Sequence, residues 1–187
     1  MLDPYASKVL VKEHHERLVA GIEGFARDAG IQPKWIWTKL SDACGPAEVE
    51  YVRKFKFHQA GGEVQGVCLL RKSKDVDVSP RMSAIAGALV RNLIRARVMT
   101  LGAVLDLLAA GDHIEATCLL IPNFFTPKAE GGTIAPWQVS ALYDLLVHRG
   151  SLGLQTVISV SSVADMSSEY GNAFAVLVRN SFKVIEV

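Results

Sequence analysis

Eight residues between an apolar run and a helical pattern hold the first candidate chemistry. They read Lys72-Ser-Lys-Asp-Val-Asp-Val-Ser79, after Gly66-Val-Cys-Leu-Leu70 and before Pro80. A loop that closes on phosphates reads G-x-x-x-x-G-K-[ST]. Its glycines let backbone amides wrap the oxygens, and its lysine neutralises charge. The strand-to-helix spacing is kept here, but Lys72 and Asp77 stand at the glycine positions and Val78 at the lysine position; only Ser79 matches. A carboxylate a few ångströms from a triphosphate is repelled by about 4 kcal/mol at an effective dielectric of ~20. Asp75 and Asp77 therefore oppose a nucleotide, and Lys72 and Lys74 offset part of that. The acidic pair could instead hold a metal ion, although a solvated loop is the preferred reading.

The second candidate is the end of Thr117-Cys-Leu-Leu-Ile-Pro-Asn-Phe-Phe125. Its apolar stretch is too short for a membrane span and suits a strand buried on both faces of a parallel sheet. In many nucleotide-binding α/β proteins such a strand ends in acids that hold magnesium. Here it ends in Pro122 and Asn123.

A third set could grip single-stranded DNA: Trp35 and Trp37 by stacking, with Lys39, Arg53, Lys54, Lys56, Arg91, Arg95 and Arg97 on phosphates. The competing reading makes the tryptophans a clasp on an extended connector, Ile31 to Leu40, and is preferred because their period-2 spacing fits one face of extended chain. For Arg53, Lys54 and Lys56 a solvated face is the default. His14-His15 lie among charged residues and read as a solvated helix face rather than a metal site.

The elements that must position these groups follow from the pattern. Tyr5 to Ala29 reads as a helix stopped by Gly30, and Pro46 to about Gln59 as another, with Val49, Val52 and Phe57 as core candidates. Ile85, Leu89 and Leu93 repeat every four residues after Pro80. Ala96 to Leu101 reads as a strand and Val104 to Ala110 as a helix closed by Gly111. Phe125 to Ala135 is loop-like, Pro136 to Arg149 helical, Gln155 to Val160 a β-branched strand, Ala164 to Asn180 helical, and Phe182 to Val187 a closing strand. Strands alternating with helices imply an α/β three-layer sandwich around a mainly parallel five-stranded sheet.

The chain of 187 residues is half hydrophobic and carries a net charge of +1, so a sizeable core is possible and any nucleic-acid binding needs a local patch. Cys44, Cys68 and Cys118 show no C-x-x-C spacing, which argues against a disulfide frame or zinc site. The opening residues lack a signal-peptide pattern and no run reaches membrane-spanning length; a cytoplasmic location and no membrane contact are expected.

In order and spacing, several segments resemble the AAA+ core of the DnaC-type helicase loaders and the related IstB-type transposition ATPases. They are Gly30-Ile-Gln-Pro-Lys-Trp35, Ala84-Ile-Ala-Gly-Ala-Leu89, Arg97-Val-Met-Thr100, Leu119-Leu-Ile-Pro-Asn-Phe124, His148-Arg149, Thr156-Val-Ile-Ser159, Glu169-Tyr-Gly171 and Lys183-Val-Ile-Glu186. The resemblance runs from about Gly30 to Val187. It implies an N-terminal helix over 1–30, in place of a larger helicase-contacting module, and an AAA+-like domain over 31–187 without a C-terminal lid. It places Pro122 and Asn123 at the family's Asp-Glu, Ser161 or Ser162 at a polar sensor, and Ala173 and Leu177 at arginines that reach a neighbouring subunit's nucleotide. The expectation is a non-catalytic accessory factor of DNA replication or a mobile element, without a cofactor. It would bind a replicative helicase, another protein or DNA, as a monomer or nucleotide-independent dimer. The alternatives are a direct single-strand DNA binder, or a nucleotide-binding enzyme with divergent motifs using Lys72, Lys74 and Asp75.

Overall fold

In the computed structural model, residues 11–61, 64–73, 75–132 and 134–187 are described. Lys74 and the first ten residues, including Val9 and Leu10 of the expected first helix, lie outside that set. Five strands form one all-parallel sheet in the order β2-β3-β4-β1-β5: β1 Gly66–Leu70, β2 Ala96–Val98, β3 Cys118–Phe125, β4 Gln155–Val160 and β5 Phe182–Glu186. Successive side chains on a strand point to opposite faces, and the core divides accordingly. Val67, Leu69, Leu120 and Val157 face one apolar cluster, while Cys68, Leu119, Ile121 and Ile158 face the other. The expected three-layer α/β sandwich is the observed fold.

The first layer holds α1 Lys12–Ala20, α2 Ile22–Asp28, α3 Lys34–Trp37, α4 Leu40–Ala43, α5 Pro46–Arg53, α6 Phe55–Gln59 and α7 Ser79–Arg91. The second holds α8 Leu101–Ala110, α9 Pro136–Ser151, α10 Val163–Tyr170 and α11 Asn172–Ser181. Helix α7 is the centre of the first layer: Ala84 to Val90 are buried without a break, and its small residues admit close neighbours. At Gly87 an added Cβ would collide with the Trp35 carbonyl, so the backbone of α3 rests directly on α7. Arg91 reinforces this contact by donating to the carbonyls of Ile36 and Thr38 at 3.1 and 3.4 Å.

Several expected elements are corrected. The connector over 31–40 is not extended, because Pro33 starts α3 rather than ending a strand. In a helix, positions two apart point in nearly opposite directions. Trp35 is accordingly half-buried against the core, while Trp37 is exposed and meets the edge of the His15 ring, at 6.1 Å. The described part of the first helix breaks at Gly21, and the Pro46–Gln59 helix breaks at Lys54. That second break turns Phe57 outward to 68% exposure; Tyr51 and Phe55 fill the core instead. Leu93 lies beyond α7 at φ 56°, β2 stops at Val98, and α8 begins at Leu101. The last helical stretch divides at Gly171.

At the amino ends of the strands a cation is buried. Arg149 of α9 is 1% exposed. Its guanidinium donates to Thr156 Oγ1 at 3.0 Å and to the carbonyls of Ile114, Ala116 and Gln155 at 3.0, 2.9 and 2.8 Å. Burial pushes its pKa down to about 10, so it remains charged at neutral pH. Gln155 extends the network, accepting from the Tyr51 hydroxyl at 3.1 Å and donating to the Val64 carbonyl at 3.0 Å. Arg149→Met is expected to lower unfolding free energy by about 3 kcal/mol, because buried carbonyls lose their donor. Arg149→Lys should recover only part, since an ammonium lacks the planar fork. Urea denaturation of the three proteins checks this. Gly87→Ala should cost about 1–3 kcal/mol in the same assay, by forcing α3 off α7.

Candidate functional site

The loop from β1 to α7 opens as an extension of the sheet. Arg71 N–H donates to the Val160 carbonyl at 3.0 Å and Lys72 N–H to the Val187 carbonyl at 2.9 Å. The exposed Lys72 ammonium lies 3.8 Å from Glu186, an interaction of little energetic weight in water. Asp75 is solvent-exposed. No group of three or more metal-ligating side chains is present among the described residues.

Asp77 is the residue that defines the helix entrance. Its Oδ1 accepts the Ser79 N–H at 2.9 Å, and that bond holds the carboxyl below the usual carboxylate range. The first amides of a helix, with the helix dipole behind them, attract anions. In this chain the molecule's own carboxylate takes one of those amides. Val78 is 2% exposed and packs into the core, so its side chain is directed away from the loop. Ser79 is exposed.

Pro122 and Asn123 sit on an irregular part of β3. The β3–β4 register is regular from Cys118 to Ile121 and shifts before Phe125. Proline supplies no N–H, so within a sheet it suits such a bulge. Asn123 takes φ 53° and is exposed, whereas Phe124 and Phe125 return to the core. Neither position offers a carboxylate.

Three polar groups meet at the ends of β1 and β4: Ser161, one of the two sensor candidates, Ser159 of the Thr156–Ser159 segment, and Arg71, which the reading of the sequence missed. The atoms Arg71 Nε, Ser159 Oγ and Ser161 Oγ are buried and find no hydrogen-bond partner among the described residues. Leu69 pairs with Ser159 and Leu70 with Val160, so Arg71 follows on beside Ser161. Continuation of the β1–β4 alternation past Leu70 would have located them in the sequence. Ser162, the other sensor candidate, caps α10 by accepting the Asp165 N–H at 3.1 Å. On α11, Ala173 is exposed and Leu177 packs against the second core cluster. Burial raises the thiols of Cys44, Cys68 and Cys118 to about 12, so none is a ready nucleophile.

The basic residues separate into distinct surfaces. Lys54 pairs with Glu50 at 2.8 Å, and Lys183 of β5 pairs with the same carboxylate at 3.0 Å. The Arg53, Lys54 and Lys56 group thus lies toward the β5 edge. Arg97 in β2 and Arg95 just before it lie at the opposite edge, roughly 19 Å away by strand spacing. There they line a groove of about 870 Å³ together with Arg17 and Arg27, which no pattern in the sequence associates with them. Lys39 is exposed just before α4, and a smaller groove of about 540 Å³ runs between Lys34 and Trp35 on one side and Asp77 and Ser79 on the other.

No family model and no curated protein sequence matches this chain. Several solved structures are similar to it, among them the following two. One is the DnaC helicase loader, with 11% identity and a TM-score of 0.59 over 82% of this chain and 98% of that one. The chain shares its three-layer α/β fold with that protein. The other is a DNA replication initiation factor, with 10% identity and a TM-score of 0.57 over 83% of this chain; the match spans 50% of that protein's length. At these identities the likeness is one of fold. No helix among the described residues is long and apolar enough to cross a membrane.

The Asp77 contact has a measurable consequence. Asp77→Ala should lower stability by about 1 kcal/mol at neutral pH, as loss of a helix-entrance acceptor does. The folded pKa lies below the ordinary 3.8, so this contribution is complete above that value and disappears as pH falls through the folded pKa. Denaturation of both proteins across the acid range should show the gap closing only at the acid end.

Proposed function

We propose that this chain is a non-catalytic, AAA+-like accessory protein of DNA replication or of a mobile element, acting by binding a protein or DNA. The observation that carries the reading is the Asp77 carboxylate on the Ser79 amide at the entrance to α7. A triphosphate approaching that amide would meet a like charge, without a lysine from position 78 to offset it. The bulged Pro122–Asn123 supports the same conclusion, since magnesium binding in phosphoryl transfer relies on carboxylate ligands at comparable places. Arg71, whose Nε is buried at the end of β1, is a single cation and does not by itself make a phosphate cradle.

The replication context comes from the likeness in fold to a helicase loader and a replication initiation factor. On this reading the partner is a replicative helicase or a related factor, and the oligomeric state is independent of nucleotide. The protein would work in the cytoplasm.

Calorimetric titration with ATP and magnesium, and a phosphate-release assay with and without single-stranded DNA, test the proposal. The expected result is no saturable ATP binding up to millimolar concentration and no hydrolysis above the buffer rate. Micromolar ATP affinity, or turnover abolished by Ser79→Ala, would overturn it and revive the divergent-enzyme reading with Lys72, Lys74 and Asp75.

A further inference from the structure

The two edges of the sheet differ. At the β2 edge the Val98 N–H donates to the Ala29 carbonyl at 2.9 Å, so chain from the end of α2 lies along that strand. At the other edge β5 pairs with β1 and with no other strand among the described residues. Val187 N–H donates to the Leu70 carbonyl and the Val187 carbonyl accepts from Lys72 N–H, both at 2.9 Å. Direction alternates along a strand, so Lys183 and Ile185 bond inward as Val187 does. Phe182, Val184 and Glu186 then aim their N–H and C=O groups outward. Edge strands ordinarily deter pairing with a proline, a bulge or an exposed lysine. In β5 there is no proline, and its register with β1 is unbroken. Its lysine, Lys183, is turned to Glu50 of α5 at 3.0 Å.

We propose that β5 is the seam of a two-fold symmetric dimer, in which the β5 strands of two copies run antiparallel and join their sheets into one. The inference names the surface behind the nucleotide-independent assembly given above, and it rests on that reading. In an antiparallel pair, opposed residues that face the seam exchange two hydrogen bonds. A two-fold axis at Val184 sets Val184 against its own counterpart and Phe182 against Glu186, giving about six backbone bonds. Charge favours this direction. The start of β5 is basic, with Arg179, Lys183 and Lys54 around the carboxylate of Glu50. Its far end carries Glu186, tied only weakly to Lys72 at 3.8 Å. Antiparallel strands bring Glu186 of each copy toward Arg179 and Lys183 of the other, whereas parallel strands would set like ends together. The edge is thus complementary to itself. Val184 is 42% exposed on one face of the seam. On the other face stands the exposed Phe57, its ring 5.7 Å from that of His58. Burial, and then the charges of Lys183 and Lys54, hold the His58 pKa below its usual value, which puts this pair of rings beside the edge. Both faces therefore carry apolar surface that no described element covers.

Sedimentation velocity of the full chain over a concentration series, with and without ATP and magnesium, tests this. A short seam lies at the low end of interface sizes, so half-dissociation is expected at roughly 10–100 μM in the absence of nucleotide. Val184→Pro removes an outward N–H at a position where an edge strand tolerates proline, and should weaken dimerisation about tenfold or more. Glu186→Arg, on an exposed side chain, should weaken it roughly threefold to tenfold, and adding Arg179→Glu should restore much of the loss. Arg97→Ala, at the β2 edge, should change nothing. Circular dichroism and thermal melting establish that each variant is folded; if the proline disturbs the fold, the charge swap decides. A chain that stays monomeric well above 100 μM, or a dimer left intact by either Val184→Pro or Glu186→Arg, would overturn the proposal. Assembly seen only with ATP would overturn the non-catalytic reading along with it, whereas a monomer in both conditions overturns this inference alone.

Discussion

The buried guanidinium of Arg149 is the constraint on which the arrangement of this molecule depends. A cation with almost no solvent access is tolerated only when nearby acceptors compensate its lost hydration. Here they come from the start of β4 and from Ile114 and Ala116, just before β3. The same side chain therefore fixes where two central strands begin and holds α9 against them. Tyr51 and Gln155 carry the bonding across to α5 and to the approach of β1. An apolar residue could fill the volume, but it could not bind three carbonyls from two separate segments.

This anchor has consequences at the amino ends of the sheet. Residues 113, 115 and 116 line the arginine groove, and the carbonyls on either side of Glu115 are those that Arg149 binds. The wall of the groove is thus held from inside the core. Its other wall comes from the end of α2, where Ala29 accepts the Val98 N–H at 2.9 Å and so covers the outer edge of β2. Gly30 permits that approach: it adopts φ +67°, and a side chain there would strike the Val98 carbonyl. Covering an edge strand with chain also protects the sheet from pairing with another molecule.

The carboxyl ends present the opposite electrostatic character. Asp77 occupies the helix entrance, Asn123 stands exposed on a bulge, and Lys72 turns to Glu186. Beneath them Arg71, Ser159 and Ser161 keep buried polar atoms without partners among the described residues, a setting that suits ordered water. The amino end of the sheet combines the buried Arg149 network with the exposed arginines of the groove, of which Arg95 pairs weakly with Glu115.

Sequence alone determined the layered architecture, because burial on two faces forces uninterrupted apolar runs such as Cys118 to Ile121, and these alternate with helical periodicity. It also located the altered loop and the Pro122–Asn123 pair, since strand-to-helix spacing is local information. It misread the 31–40 connector, whose two tryptophans fit a period of two as well as a turn of helix, and it placed Phe57 in the core because it did not register the break at Lys54. Only the tertiary structure decided which charges are free. Arg91, Arg95, Arg97 and Arg149 are alike as letters, yet one braces α3, one is buried among carbonyls, and the other two join Arg17 and Arg27 in a groove. Such assignments depend on contacts between segments far apart in the chain, and no local pattern of residues encodes them.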